Sequence, residues 1–515
     1  MRRFALTFIV VAAACLFWAE GRLGAQYVPP PQLVPGIDYN LPNYANSPIL
    51  KKFKDRLPGL TAAGAAVPGF YSGPNNLGQA LPIALADTGS YPGDDYYEIA
   101  VVDYTEQMHT NLPASGTKLR GYVQIYPPGV TPPSGAFALT YPGGSPIVFH
   151  GQQVYAYEKP HYLGPVIVAT KGKATRIKFY NLLPTTANGG SLFIPTDVTV
   201  MGAGMGPDGG SYSQNRATLH LHGGDNPWIS DGTAHQWITP EGETGNPIYI
   251  RGVSQRDVPD MPVPQEGAAT FYWPNGQSGR LMFYHDHAYG MTRLDVYAGE
   301  AAGYLLVDPD EQALTSGMTQ IPLVIQDKTF VNDGSVPPSF STGTATAATT
   351  TVDPLWVSNP RWGQTKGSLW FPHIYMPNQH PNDASGANPM GRWDYGAWFW
   401  PVFPSAPPPQ TSIVPEAFMD TPLVNGTAYP YLDVRPRPYR FRVLNASNDR
   451  YLNLQLYVAS PIVSEIKVTR KGRGYKKPPA VTITPAAGDS TGTGATAEAI
   501  VDLTVGSPTF SRVTS

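Results

Sequence analysis

Cysteine is nearly missing from this chain. The only one is Cys15, so nothing after it can form a disulfide, supply a thiolate to a metal or act as a thiol nucleophile. Charge is scarce too. Asp, Glu, Lys and Arg make up 14% of 515 residues, with 35 basic against 38 acidic side chains and a formal net charge of −3. No Lys/Arg-rich block is present, which argues against a nucleic-acid surface. No segment after residue 25 is long and apolar enough to cross a bilayer as a helix. Long helical runs are also lacking, because 53 Gly and 55 Pro break the chain into pieces. With 30 Tyr and many Val/Thr-rich runs between the breakers, the composition favours short strands joined by long loops.

The N-terminus reads as an export signal. Met1-Arg2-Arg3 is followed by an apolar run from Phe4 to Trp18, and Leu23-Gly24-Ala25 supplies small residues for cleavage before Gln26. Residues 1–25 are therefore a signal peptide that contains Cys15, and the mature chain is expected in the periplasm, on the cell surface or outside the cell. Residues 26–95 form a Pro/Gly-rich extension with one helix-like stretch, SPILKKFKDRLPGL (47–60). Strand patterns follow at 96–109, 118–126 and 164–184. The last reads as two half-buried strands around a Lys-Gly turn. With 269–309, these make residues 96–310 one antiparallel β-sandwich or barrel. A second β unit spans 320–458, interrupted by a long insertion (335–415) that is Ser/Thr/Ala-rich and then aromatic at 391–403. Residues 462–515 change character, and 466–501 resemble one unit of a small surface β-repeat.

Two short motifs carry chemistry. His220 and His222 (HLHGG), and again His285 and His287 (YHDH), are spaced i, i+2, so each pair shares one face of a strand. One such pair is weak evidence. Two in one sheet, from only 10 His in the chain, point to a shared metal site. Neutral imidazole suits copper, although spacing alone leaves a mononuclear zinc or iron site open. Gly223 and Gly224 are expected to be glycines because a packed metal cluster leaves no room for side chains. Asp286, between two inward histidines, should face away and be structural. His235 is a loop residue beside the site, His109 structural, and Trp228 and Trp237 packing residues nearby. His150, His161, His373 and His380 fit no ligand spacing. Asn425-Gly-Thr and Asn445-Ala-Ser match the glycosylation pattern.

The segments HLHGGDNPWISDG (220–232) and YHDHAYGMTRLDVYAGEAAGYLLVDP (284–309) resemble multicopper oxidases, especially the bacterial spore-coat laccase and bilirubin-oxidase branch. EQMHTNLPASGTKLRGY (106–122), residues 164–184 and TPLVNGTAYPYLDVRPRPYRFRVLNASN (421–448) extend the likeness in the same order over roughly 47–458. The resemblance implies all-β, cupredoxin-like Greek-key sandwich domains, the second of them incomplete here. It makes His220 a type 2 copper ligand, His222, His285 and His287 type 3 ligands, and Asp231 an acid that relays protons to reduced oxygen. It implies dioxygen and a small phenolic, pigment or metal-ion donor as substrates, with four-electron reduction of dioxygen to water.

The sequence departs from the family in one respect. The type 1 copper needs a cysteine, and the family's His-Pro-x-His-x-His-Gly and His-Cys-His motifs are not present. Half of a trinuclear site is here without its electron entry port, so the chain is expected to be the N-terminal portion of a longer oxidase and inactive alone. The alternatives are a secreted surface β-protein that binds without catalysis and a mononuclear metal enzyme using the four histidines.

Overall fold

The computed structural model describes residues 47–62, 66–196, 198, 200–331, 339–342, 349–352, 365–371 and 419–456. Residues 1–25 with the expected signal peptide and Cys15, His373, His380, the aromatic segment 391–403 and the expected repeat 466–501 lie outside the described residues. The chain divides into two compact units, Met1–Arg450 and Tyr451–Ser515, and the sheets belong to the first. Among the described residues no helix is long and apolar enough to cross a membrane.

The fold is all-β. Its principal strands are β1 (Asp95–Glu106), β2 (Thr117–Gln124), β3 (Leu163–Thr170), β4 (Thr175–Asn181), β5 (His220–His222), β6 (Ala268–Trp273), β7 (Arg280–His285) and β8 (Ala301–Val307), with a short helix α1 (Thr292–Ala298) between β7 and β8. They form two four-stranded sheets, ordered β6-β4-β1-β2 and β5-β7-β8-β3. Residues of alternate parity fill the space between them: Tyr97, Ile99 and Val101 of β1, Ile177 and Phe179 of β4, Leu221 of β5, Met282 and Tyr284 of β7, and Tyr304 and Leu306 of β8. The outer faces are covered as well, by a second buried cluster containing Ala100, Val102, Leu119 and Leu305. That explains why the central strands read as nearly unbroken apolar runs.

Three expectations change. The sandwich is mixed rather than antiparallel, because β4 pairs β1 in parallel and β8 pairs β3 in parallel. The strands around Lys171-Gly172 do not pair with each other. β3 belongs to one sheet and β4 to the other, the turn crosses the sandwich with Gly172 at φ +77, and β4 is buried on both faces rather than half-buried. Residues 47–60 form no helix. The Phe53 and Leu57 backbone N–H groups donate to the Tyr429 and Tyr431 carbonyls at 2.9 and 2.8 Å, and Phe53 sits at φ +57. Tertiary hydrogen bonds have taken the donors that a helix would need.

A further sheet is built around β9 (Thr319–Phe330), which pairs antiparallel with β10 (Leu369–Trp370) and β11 (Thr421–Val424). It also pairs in parallel with β13 (Tyr439–Asn445), while β12 (Thr427–Ala428) pairs β11. Pro322 and Val324 of β9 meet Leu281, Gly303 and Leu305, the outer face of β7 and β8. His220, His222 and His285 belong to that outer face, because Leu221 and Tyr284 take the inner one.

Candidate metal centre

The register of two strands builds the site. β5 runs antiparallel to β7 with His220 opposite His285 and His222 opposite Phe283. The ring centroids of His220 and His285 are 5.4 Å apart, and those of His222 and His285 are 5.3 Å apart. Donor nitrogens of His220, His222 and His285 all lie within 4.8 Å of one another, a spacing that can hold a metal ion. His287 follows in the loop beyond β7. Its ring is 4.9 Å from that of His220 and 5.8 Å from that of His285. Its Nδ1 is buried with no hydrogen-bond partner.

Hydrogen bonds orient the rings. His220 Nδ1–H donates to the Asp231 carbonyl at 2.6 Å, and His285 Nδ1–H donates to the Asp286 carbonyl at 2.6 Å. A carbonyl only accepts, so in both rings Nδ1 carries the proton and Nε2 presents a lone pair. His222 Nδ1 and His285 Nε2 face each other at 3.1 Å. Without a cation His222 must donate across that gap; with one, both lone pairs can face the ion. Phe283 stacks on both rings, at 5.0 and 4.7 Å between centroids. Burial pushes His285 down to about 3, with the neighbouring histidines adding to the effect, and burial also lowers His222. Both rings are thus held in the neutral form that binds metals.

Asp231 stands beside His220, its carboxylate 3.5 Å from Nδ1 and about one-third exposed, but its backbone carbonyl makes the short bond. Asp286 does face away. Its carboxylate accepts from the Thr218 and Ala288 backbone N–H groups at 2.9 and 2.7 Å, and burial pushes it up to about 6. Thr218 lies just before β5 and Ala288 just after the second pair, so Asp286 joins the backbones carrying both pairs.

The reason for the glycines differs from expectation. At Gly223 a Cβ would meet only Met282 Sδ, at 3.7 Å; its φ of +89 is what demands glycine. A Cβ at Gly224 would crowd the Asn226 side chain. The stronger requirement falls on Gly232, at φ +65, where a Cβ would run into the Leu219 carbonyl. Gly232 lets the Asp231 loop lie directly against β5, something no local pattern signals.

Trp237 is buried, under the Arg216 guanidinium at 4.9 Å. Trp228 is not a packing residue but 65% exposed. His235 is exposed against Tyr289, outside the histidine group. His109 is buried and structural, bonded to the Lys51 carbonyl at 3.0 Å. His150 pairs with Glu241 and His161 with Glu106, away from the site. Asn425 Nδ2 donates to the Pro58 and Pro322 carbonyls in the interior, and Asn445 Nδ2 donates to the Arg450 carbonyl.

No family model matches the chain. It is 28% identical over 381 residues to a laccase of Bacillus subtilis, covering 73% of this chain and 50% of that protein. A laccase of Bacillus stratosphericus is 29% identical over 378 residues, again 73% of this chain and 50% of the relative. The multicopper oxidase LPR1 of Arabidopsis thaliana is 30% identical over 308 residues, 58% of this chain and 37% of that protein. Its relatives are multicopper oxidases. This multicopper-oxidase-like chain spans about half the length of the curated laccases it matches. Among solved structures, a laccase of Pediococcus acidilactici superposes with a TM-score of 0.36 at 16% identity, over 80% of this chain and 51% of that one. The mixed two-sheet sandwich is the cupredoxin-like fold expected of such a chain.

Proposed function

We propose that this chain belongs to a laccase-like, copper-dependent oxidoreductase and carries half of its oxygen-reducing centre. The observation behind this reading is that one strand register brings His220, His222 and His285 together as an all-imidazole donor set, with the His287 ring 4.9 Å from that of His220. The residues fit copper. His222 and His285 lean to the neutral form, His220 and His285 expose Nε2 lone pairs, and the buried His287 Nδ1 has no protein partner. His220 would hold type 2 copper, and His222, His285 and His287 the type 3 pair. Copper bound there supplies one-electron redox chemistry toward the four-electron reduction of dioxygen to water.

This chain's own residues orient and supply. The Asp231 and Asp286 carbonyls fix the ring tautomers. The Asp231 carboxylate, partly exposed beside His220, carries protons between solvent and the site. Phe283 excludes water from one side of His222 and His285. Residues 96–310 act as a first cupredoxin-like domain and 320–458 as the start of a second. The type 1 copper and the remaining histidines belong to the half of the relatives that this chain does not span. The electron donor is a phenol, pigment or metal ion, and the protein works after export.

Copper content decides the reading. Purified chain should retain copper after dialysis, and a variant with all four histidines changed to Ala should retain none. Equal copper in both refutes the assignment. Catalytic oxidation of a phenolic dye by residues 26–515 alone would show that the electron entry port lies within this chain.

A further inference from the structure

Behind the histidines lies a dry cluster of charge that the copper reading does not use. Four carboxyls, Asp103, Asp286, Asp295 and Glu300, are buried with two guanidiniums, Arg120 and Arg216. Lys118, part-exposed at the rim, approaches Asp103 at 3.7 Å. The count is four acids against three cations. Burying an uncompensated charge is so unfavourable that a proton is bound instead.

The hydrogen bonds show where that proton belongs. Asp103 is satisfied as a carboxylate by Arg120 Nε at 3.0 Å and by Lys118. Asp286 is satisfied by two backbone N–H donors. No carboxyl oxygen of Asp295 or Glu300 receives a hydrogen bond, and Arg120 stays 3.8 and 3.9 Å from them. We infer that Asp295 and Glu300 hold one proton between them at neutral pH, stored behind the histidine site.

Other observations agree. Burial, reinforced at Asp295 by the charge of Asp286 and at Glu300 by the charges of Asp295 and Asp286, drives both carboxyls well above the usual range. Arg216 Nη1 is buried and unpartnered, while its other nitrogens bond the Ser213, Gly202 and Tyr289 carbonyls, so a charge-assisted donor remains for the acids it faces electrostatically. Tyr122, packed above, donates to the Glu300 backbone carbonyl at 3.4 Å and not to its carboxyl. Asp103 and Lys118 also line a surface cavity of about 610 Å³, which brings solvent to the Asp103 end of the cluster. A reaction that reduces dioxygen to water consumes protons. Use of the store for that purpose rests on the copper reading, whereas its existence does not.

Infrared spectroscopy of the metal-free full chain at neutral pH tests this. The expected result is a carbonyl band of protonated carboxyl that shifts in D2O. It should vanish in Asp295→Asn and separately in Glu300→Gln, since each leaves three acids balanced by three cations, and it should persist in Asp231→Asn. Either single variant suffices if the other fails to fold. A missing band, or one that survives the substitution, overturns the inference. Because the protein is measured without metal, failure to bind copper sinks the earlier reading and leaves this one standing.

Discussion

His220 and His222 sit on an edge strand, with His222 open to solvent, whereas His285 ends a central strand at 5% exposure and His287 is half-buried in the loop beyond it. The two pairs have the same spacing and unlike environments. The first is positioned by a loop folded back on its strand, through Gly232 and the Asp231 carbonyl. The second is positioned from beneath, through Asp286 and the buried charge cluster. Burial lowers the proton affinity of His285 far more than that of His222. A metal site assembled this way has one rigid, dry half and one adjustable half facing water.

The largest expected effect separates the halves by metal retention. His285→Ala should abolish bound copper after dialysis, while His222→Ala should leave a measurable fraction; equal loss would erase the distinction. Next come the glycines of the exposed half. Gly232→Ala should lower unfolding free energy by about 3 kcal/mol, because a Cβ collides with backbone at a positive φ. Gly223→Ala should cost only about 1 kcal/mol, since its strain is conformational alone. Urea titration of the two variants checks the order.

The buried half should also govern the acid limb of stability. The folded-state value of His285 is depressed from 6.5 to about 3, so the metal-free unfolded chain binds this proton first as pH falls. The contribution is complete above about 6.5 and is lost progressively from there toward about 3. His285→Gln should flatten that limb in a denaturation series, and an unchanged slope would contradict it. The smallest effect concerns Asp231. Asp231→Asn keeps the backbone carbonyl that orients His220, so copper affinity should fall by less than about tenfold. A larger drop would mean that the carboxylate itself holds the ring.

Much of this was legible in the chain. Strand positions at 96–309 follow from apolar runs, and the period of two places His220 and His222 on one face, whereas His287 lies past the end of β7. The chance that both pairs share a sheet was readable from their repetition. The helix expected at 47–60 was not borne out, because its donors are claimed by residues far along the chain. The segment around Lys171-Gly172 read as two half-buried strands joined by a turn, since local sequence cannot tell a turn within a sheet from an arch between two.

Sequence alone determined the donor chemistry: four imidazoles, no thiol after Cys15, and a strand whose alternation aims His220 and His222 in one direction. Tertiary structure decided which pair is buried, which nitrogen of His220 and His285 carries the proton, and that Asp103, Arg120, Asp286, Asp295 and Glu300 meet in one dry pocket. The physical reason is the range of the interactions. Side-chain alternation is a property of a few consecutive residues. Burial, charge balance and tautomer choice arise only when strands distant in sequence are brought side by side.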